Sequence, residues 1–207
     1  MRLYRRGDEY SIKLAGGSEL MNSRVHGSED ALAEHACARL GDTLEPRLLI
    51  GGLGMGFTLA AALQQVGNQA QVAVAEVVPA VVAWNREWLG IYAGHPLRDP
   101  RVNVQETDVA HLLRRGRQTW DAILLDVDNG PEGLTRKEND WLYSLNGLNA
   151  AYAALRPRGV LAVWSAGPDQ RFSQRLRKTG FRVDETRVRS HGSKGVRHMI
   201  WIARRGA

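Results

Sequence analysis

The chain has 207 residues, 43% of them hydrophobic and 24% charged, with a formal net charge of +6. This composition is typical of one soluble globular domain and excludes a second large domain. A membrane-spanning helix needs about 20 apolar residues, whereas the most apolar stretch, 48–63, contains four glycines. One cysteine excludes an intrachain disulfide, and the N-terminus lacks the apolar core of a secretory signal, so we expect a cytoplasmic protein that does not contact membranes.

The positive charge is concentrated near the C-terminus. Residues 156–207 contain 13 Lys and Arg against 3 Asp and Glu, a net charge of +10, while residues 1–155 contain 15 and 19, a net charge of −4. A basic segment of this kind indicates an acidic or phosphate-bearing partner, so nucleic acid is one candidate partner. A solvated basic surface that binds nothing specific is the alternative.

The first 46 residues have their own pattern. A short hairpin is predicted over 9–21, turning at Ala-Gly-Gly 15–17, and a helix over 29–40. We expect this segment, 1–46, to pack on a main domain that comprises 47–207.

From residue 47 onward, short apolar runs alternate with helical stretches, as in parallel β-α-β units. The predicted strands are 47–51, 71–76, 102–106, 122–126 and 160–165, and the predicted helices are 57–66, 79–89, 109–115, 138–155 and 169–179. Two further β-prone runs, 181–188 and 196–203, are separated by a loop that contains glycines, which predicts an antiparallel pair. The predicted fold is therefore α/β, a mostly parallel sheet with helices on both faces and a C-terminal antiparallel hairpin.

Three glycines stand at alternate positions where the first of these strands gives way to a helix: Gly52, Gly54 and Gly56. Without side chains, the backbone there can turn sharply and approach a ligand closely. A dinucleotide-binding fingerprint needs glycine at its first, third and sixth positions, but the sixth position counted from Gly52 is Phe57. The spacing argues against NAD. Tight packing of the helix on the strand is the alternative to a ligand.

Carboxylates follow the next three strands at Glu76, Asp108 and Asp126. Glu76 is placed to accept hydrogen bonds from both hydroxyls of a ribose. Asp108 could accept from an adenine amino group while the backbone of Val109 meets the adjacent ring nitrogen. Each acid could instead cap a helix, but open α/β sheets bind ligands at the edge that all three share. Since no Lys or Arg lies between residues 48 and 85, adenosine fits better than a phosphorylated nucleotide.

Several motifs resemble the spermidine synthase family of class I S-adenosylmethionine-dependent transferases, over roughly residues 45–165. They are Leu-Ile-Gly-Gly-Leu-Gly-Met-Gly at 49–56, Ala-Glu-Val at 75–77, Asp-Pro-Arg-Val at 99–102, Thr-Asp at 107–108, Trp-Asp-Ala-Ile-Leu-Leu-Asp at 120–126 and Leu-Arg-Pro-Arg-Gly-Val-Leu at 155–161. The resemblance implies a Rossmann-like fold and a cofactor that is S-adenosylmethionine or its decarboxylated form. The cofactor-binding residues it implies are Gly52, Gly54, Gly56, Glu76, Val77, Asp108, Val109 and Asp126.

The chain departs from this family where an amine would bind. The family's aminopropyltransferases have a Gly-Gly-Gly-Asp-Gly-Gly loop whose Asp helps hold the amine of the decarboxylated cofactor, and Gly54 occupies that Asp position here. They follow the fourth strand with Asp-Ser-Ser-Asp-Pro, where this chain has Asp-Val-Asp-Asn-Gly-Pro at 126–131. The losses affect amine recognition and leave adenosine recognition intact.

We therefore expect an enzyme that transfers a methyl group to an unidentified small-molecule acceptor, with Asp126 or Asp128 orienting the acceptor or accepting its proton. One alternative is a polyamine aminopropyltransferase. The other is a non-catalytic binding module that uses its basic C-terminal quarter. No metal is expected, because His35 and Cys37 lack metal-ligand spacing with a second pair. As for the oligomeric state, the protein could form a homodimer, and no sequence feature decides this.

Overall fold

The computed structural model describes residues 1–127, 130–131, 140–191 and 194–207. The described residues form ten strands, which are β1 (Arg2–Arg6), β2 (Glu9–Lys13), β3 (Glu19–Asn22), β4 (Arg47–Gly51), β5 (Gln71–Ala75), β6 (Val102–Gln105), β7 (Trp120–Leu125), β8 (Leu155–Ser165), β9 (Arg182–His191) and β10 (Lys194–Arg204). The described α-helices are α1 (Gly27–Cys37), α2 (Phe57–Gln65), α3 (Pro79–Trp84), α4 (Val109–Arg115), α5 (Asp140–Tyr143), α6 (Leu145–Ala154) and α7 (Gln170–Thr179). A π-helical turn (Asn85–Leu89) and two 3₁₀ turns (Gly90–Ala93, Pro96–Arg98) follow α3.

Seven strands form one sheet in the order β6-β5-β4-β7-β8-β10-β9. The first five of these strands are parallel, and β10 pairs antiparallel with both β8 and β9. The order in which strands are added to the sheet reverses at β4, since β5 and β6 lie on one side of it and β7 and β8 on the other. Ligands of open α/β sheets bind at such a reversal point.

The core lies on both faces of this sheet because successive strand residues point to opposite sides. Leu48 and Ile50 pack with helices α1, α2 and α3, while Leu49 packs with helices α4 to α7. The predicted α/β fold, with helices on both faces and a C-terminal antiparallel hairpin, is confirmed. No helix in the described part of the chain has the length and apolar character needed to cross a membrane.

The N-terminal segment forms a separate sheet in the order β1-β2-β3. The predicted hairpin corresponds to β2 and β3, and the sequence analysis missed β1. This sheet is attached through a small apolar cluster in which Ile12 of β2 packs with Met55, Phe57 and Leu89. Two of these side chains, Met55 and Phe57, belong to the glycine loop and the start of α2, so the small sheet lies directly over that loop.

Three predicted elements differ from the observed ones for local reasons. The helix predicted over 79–89 becomes π-helical at Asn85, whose side-chain amide donates to the carbonyl of Val81 at 2.9 Å. The helix predicted over 138–155 divides at Ser144, which caps α6 by accepting from the amide of Gly147 at 3.2 Å, and its first residues lie outside the described part of the chain. Strand β8 begins at Leu155, five residues before the prediction, because Leu155 already pairs with Trp120 of β7, and the pairing resumes at Val160 after a shift in register.

The Asp-Pro-Arg-Val motif has a structural role in this fold. Arg101 donates from Nε and Nη2 to the two carboxylate oxygens of Asp99, at 2.9 and 2.8 Å, which holds the pKa of Asp99 below its usual value. Its Nη1 donates to the carbonyl of Val66 at 2.8 Å, just beyond α2. A cation at this position satisfies carbonyls that a helix leaves free at its C-terminus. The motif thus joins the end of α2 to the start of β6.

Cys37, the last residue of α1, is only 8% exposed, and burial raises the pKa of its thiol to about 12. Because the thiolate is the reactive form, we expect a thiol-reactive dye at pH 8 to leave the folded protein unlabelled and to label one thiol per chain in denaturant. Mass spectrometry of both samples checks this. Rapid labelling of the folded protein would contradict the observed packing of α1.

Candidate functional site

A cavity of about 340 Å³ lies at the carboxyl ends of the central strands, within the size range of small-molecule sites. Its lining includes seven of the eight residues that the sequence analysis assigned to the cofactor, namely Gly52, Gly54, Glu76, Val77, Asp108, Val109 and Asp126. The predicted glycine loop and carboxylates therefore lie around one space. Gly56 is not part of this lining.

The glycine loop turns in backbone conformations that favour glycine, with φ of +86° at Gly52, +53° at Gly54 and +85° at Gly56. Gly52 also allows a close approach of two chain segments. A Cβ at this position would lie 2.2 Å from the backbone oxygen of Asp126. The loop can therefore pass directly over the end of β7 only if residue 52 has no side chain.

Gly56 precedes α2 and makes room for packing behind the loop. A Cβ there would lie 3.1 Å from both Oδ1 of Asn85 and Cγ of Pro96. Asn85, which the sequence analysis did not single out, donates from Nδ2 to the carbonyl of Gly54 at 2.8 Å. Asn85, at the start of the π-helical turn, thus holds the glycine loop in place. That Gly56 contacts the cofactor stays a prediction.

Glu76 follows β5 and is 7% exposed. Its Oε2 accepts from the amide of Leu53 at 2.9 Å, and its Oε1 accepts from the amide of Val78 at 2.8 Å. These bonds fix the carboxylate against the glycine loop. Since a carboxylate oxygen can accept more than one hydrogen bond, each oxygen keeps capacity for a ribose hydroxyl.

Asp108 combines the two roles that the sequence left open. Its Oδ1 accepts from the amide of Ala110 at 2.8 Å, so it caps α4. The residue also lines the cavity, beside Thr107 and the buried Val109. With one oxygen used by the cap, Oδ2 is the oxygen that could meet an adenine amino group.

Asp126 follows β7, and Thr58 of α2 donates to its Oδ2 at 2.6 Å. Burial raises the pKa of this carboxyl, while the hydrogen bond from Thr58 acts in the opposite direction. The second predicted catalytic acid, Asp128, lies outside the described residues. Asp126 is thus the predicted catalytic acid whose position in the cavity the structure describes.

The structure adds a carboxyl that sequence reasoning missed. Glu29, in the first turn of α1, lines the same cavity and accepts from the hydroxyl of Ser28 at 2.6 Å. Burial first, and the charge of Asp126 second, raise the pKa of Glu29 to about 7. Acids in a first helical turn are common because they complement the helix dipole, so the sequence contained no signal that set this one apart.

Apolar side chains form the other wall of the cavity. Most come from the hairpin of β2 and β3 and its turn, and they are Ile12, Leu14, Ala15, Leu20 and Met21, joined by Met1. Trp164, near the end of β8, completes the lining and packs on His198 with ring centroids 4.8 Å apart. Trp164 therefore lines the cavity and also packs against the core on its face of the sheet.

The basic C-terminal quarter is only partly neutralised. Arg175 and Arg177 of α7 pair with Asp169 and Glu185, at 3.4 and 2.9 Å. On the terminal hairpin, Arg189 lies directly opposite Arg197, and both are exposed. Like charges opposite each other destabilise a strand pair. Nucleic acid as a partner of this surface stays a prediction, as does a homodimer.

The strand order, the glycine loop after β4 and the acids at the carboxyl edge are those of a Rossmann-like α/β fold. No protein-family model matches the chain, and no curated protein matches its sequence. Solved structures of low sequence identity do match its fold.

A spermidine synthase from Thermotoga maritima is similar to all of this chain over 72% of its own length, with a TM-score of 0.74 and 17% identity. The 1,6-didemethyltoxoflavin-N1-methyltransferase of Burkholderia thailandensis, solved with 1,6-didemethyltoxoflavin and S-adenosylhomocysteine, matches 88% of this chain over 80% of its own (TM-score 0.61, 20% identity). TrmN from Thermus thermophilus matches 88% of this chain over 51% of its own (TM-score 0.60, 24% identity). The expected resemblance to spermidine synthases is confirmed at the level of the fold.

Proposed function

We propose that this protein is an S-adenosylmethionine-dependent methyltransferase that acts on a small-molecule acceptor. The fold supports a cofactor of this type, since one neighbour with the same fold was solved with S-adenosylhomocysteine. The residues of the cavity fit it. Glycines leave room for a ligand at the loop, and the buried Glu76 and the cap residue Asp108 are placed as acceptors for ribose and adenine.

The contact between Met21 and Gly54 is the observation that favours methyl transfer over aminopropyl transfer. Aminopropyltransferases of the resembled family have an Asp where this chain has Gly54. Here a Cβ at residue 54 would lie 3.0 Å from both Sδ and Cε of Met21, and φ is +53°. A side chain is strained in this conformation, and the end of the Met21 side chain lies in the space next to residue 54. The loop thus lacks the carboxylate with which those aminopropyltransferases hold the amine of the decarboxylated cofactor.

The lining of the cavity supports the same proposal. A polyamine is a multiple cation that needs several carboxylates to replace its hydration. Apart from Glu76 and Asp108, which suit the nucleoside, the carboxyls in the described part of the lining are Glu29 and Asp126. The remaining wall, built from the hairpin and Trp164, suits a mainly apolar acceptor.

When bound, the cofactor supplies a methyl group already activated on a sulfonium. The chain must then align the acceptor and exclude water. The N-terminal hairpin and Trp164 exclude water from the acceptor end, and Asp126, held by Thr58, orients the acceptor. Asp128 remains a second candidate for this role.

Isothermal titration calorimetry with S-adenosylmethionine, decarboxylated S-adenosylmethionine and methylthioadenosine tests the proposal. We expect S-adenosylmethionine to bind at least about tenfold more tightly than its decarboxylated form, a difference of about 1.4 kcal/mol. Absence of binding by all three compounds would overturn the proposal. Preference for the decarboxylated form, with methylthioadenosine released when a diamine is added, would establish the aminopropyltransferase alternative instead.

A further inference from the structure

We propose that Glu29 and Asp126 act as a pair that shares one proton, and that Glu29 is the base for a neutral, mainly apolar acceptor that carries an N–H or O–H group. This inference rests on the proposed function and extends it to the class of acceptor. It assigns a catalytic role to a residue of α1 that the sequence motifs do not include.

The positions of the two carboxyls support this pairing. Both line the one cavity, although they come from different elements, Glu29 from α1 and Asp126 from the end of β7. α1 packs on the sheet face that also includes Trp164. Asp126 also adjoins the glycine loop through the close contact with Gly52, and Glu29 is the carboxyl that α1 contributes to the lining.

Among the described residues, no cation neutralises either carboxyl. Each carboxyl accepts a hydrogen bond from a hydroxyl group, Glu29 from Ser28 and Asp126 from Thr58, both at 2.6 Å. Among the residues that the structure describes, neither forms an ion pair. The other acid close enough to affect Glu29 is Asp30, which bonds His26 at 2.7 Å. Two partly buried neighbouring carboxyls without a cation cannot both ionise at low cost, so the pair keeps one proton near neutral pH.

Of the two carboxyls, Glu29 is the one suited to act as the base. The pKa of Glu29 is raised to about 7, which is the value that general base catalysis near neutral pH requires. In the transfer step, the lone pair of the acceptor nitrogen or oxygen forms the new bond to the methyl carbon. The bond from that carbon to sulfur breaks, and its electrons stay on sulfur, which loses its positive charge. The proton of the acceptor moves to Glu29 in the form of the pair that holds its shared proton on Asp126, and both carboxyls are then protonated and uncharged.

The class of acceptor follows from the charge of this pair. With one proton, the pair carries a single negative charge beside an apolar wall that includes Leu14, Met21 and Trp164. A diamine with two positive charges would need both carboxyls ionised. The apolar wall would not compensate for the hydration that these charges lose. A neutral molecule with one hydrogen-bond donor fits both features.

The test of the pair is a direct titration of its carboxyls by ¹³C NMR on protein labelled at the Glu and Asp side-chain carboxyls. We expect the Glu29 signal, assigned by its loss in Glu29→Gln, to titrate near pH 7. In Asp126→Asn, its pKa falls because the repelling charge is gone, while burial keeps it above the ordinary value of 4.5. The matched control Asp30→Asn removes the acid of smallest influence and should lower it less.

A Glu29 that titrates near 4.5, or that does not respond to Asp126→Asn, would overturn the pairing even if S-adenosylmethionine binds. The proposed function would then stand without this inference, whereas failure to bind any cofactor would remove the function itself. The two failures are therefore distinguishable.

The acceptor class is tested by calorimetry on protein saturated with S-adenosylhomocysteine. The probes are benzimidazole, a flat neutral molecule with one N–H, and the diamine putrescine. We expect benzimidazole to bind at least about tenfold more tightly than putrescine, which is a difference of about 1.4 kcal/mol. Tighter binding of putrescine would overturn the assignment of a neutral acceptor.

Discussion

Gly52→Ala is expected to abolish cofactor binding and to destabilise the fold by more than about 3 kcal/mol. Two physical effects add at this position. The backbone has a φ of +86°, which costs an L-residue about 1–3 kcal/mol. The new Cβ would also lie 2.2 Å from the backbone oxygen of Asp126, so the loop and the end of β7 must separate. That separation opens the cavity where both segments line it.

The matched control is Gly94→Ala. Gly94 has a similar φ of +71°, but a Cβ there would meet nothing within 4 Å. This variant should lose only about 1–2 kcal/mol and bind S-adenosylmethionine like the unaltered protein. Urea unfolding measures the first effect and calorimetry the second. Equal stability losses in both variants would show that the close approach of Gly52 to β7 is unimportant.

Glu76→Gln should weaken S-adenosylmethionine binding by about 100-fold or more and lower stability by about 2–3 kcal/mol. Both carboxylate oxygens already accept backbone amides, from Leu53 and Val78. An amide side chain keeps one acceptor and turns an NH₂ group toward the other backbone N–H. The variant therefore loses a buried charge-assisted bond that positions the loop, and it loses an acceptor for ribose.

Glu106→Gln makes the same chemical change after the neighbouring strand β6, at an exposed residue outside the cavity lining. We expect its affinity and urea midpoint to be unchanged. Calorimetry and urea unfolding of the two variants side by side give the comparison. If Glu76→Gln bound the cofactor normally, the assignment of Glu76 to the ribose would be wrong.

The central strands and the cofactor end of the site could be predicted from sequence because local patterns specify them. The apolar run before Gly52 predicted β4 with its observed bounds, and the position of Glu76 and Asp108 after strands brought them to one edge. Parallel strands share a direction, so residues that follow them meet without further information. Local capping by Asp108 was likewise visible in the sequence.

The proposed acceptor end of the site could not be predicted because it depends on contacts between distant segments. Met21 reaches Gly54 only because the N-terminal sheet docks on the loop through Ile12, Met55 and Phe57. Glu29 approaches Asp126 because α1 packs against the sheet 97 positions away in the chain. Neither contact has a periodicity or motif that a single sequence reveals.

The docked hairpin also borders both halves of the proposed site. Met21 touches the loop that borders the cofactor end and, on the same hairpin, Leu14 and Leu20 border the acceptor end. A ligand that shifts the hairpin at one end therefore changes the free energy of binding at the other. Such coupling is reciprocal, so an acceptor that tightens cofactor binding must itself bind more tightly to the cofactor-loaded protein by the same factor.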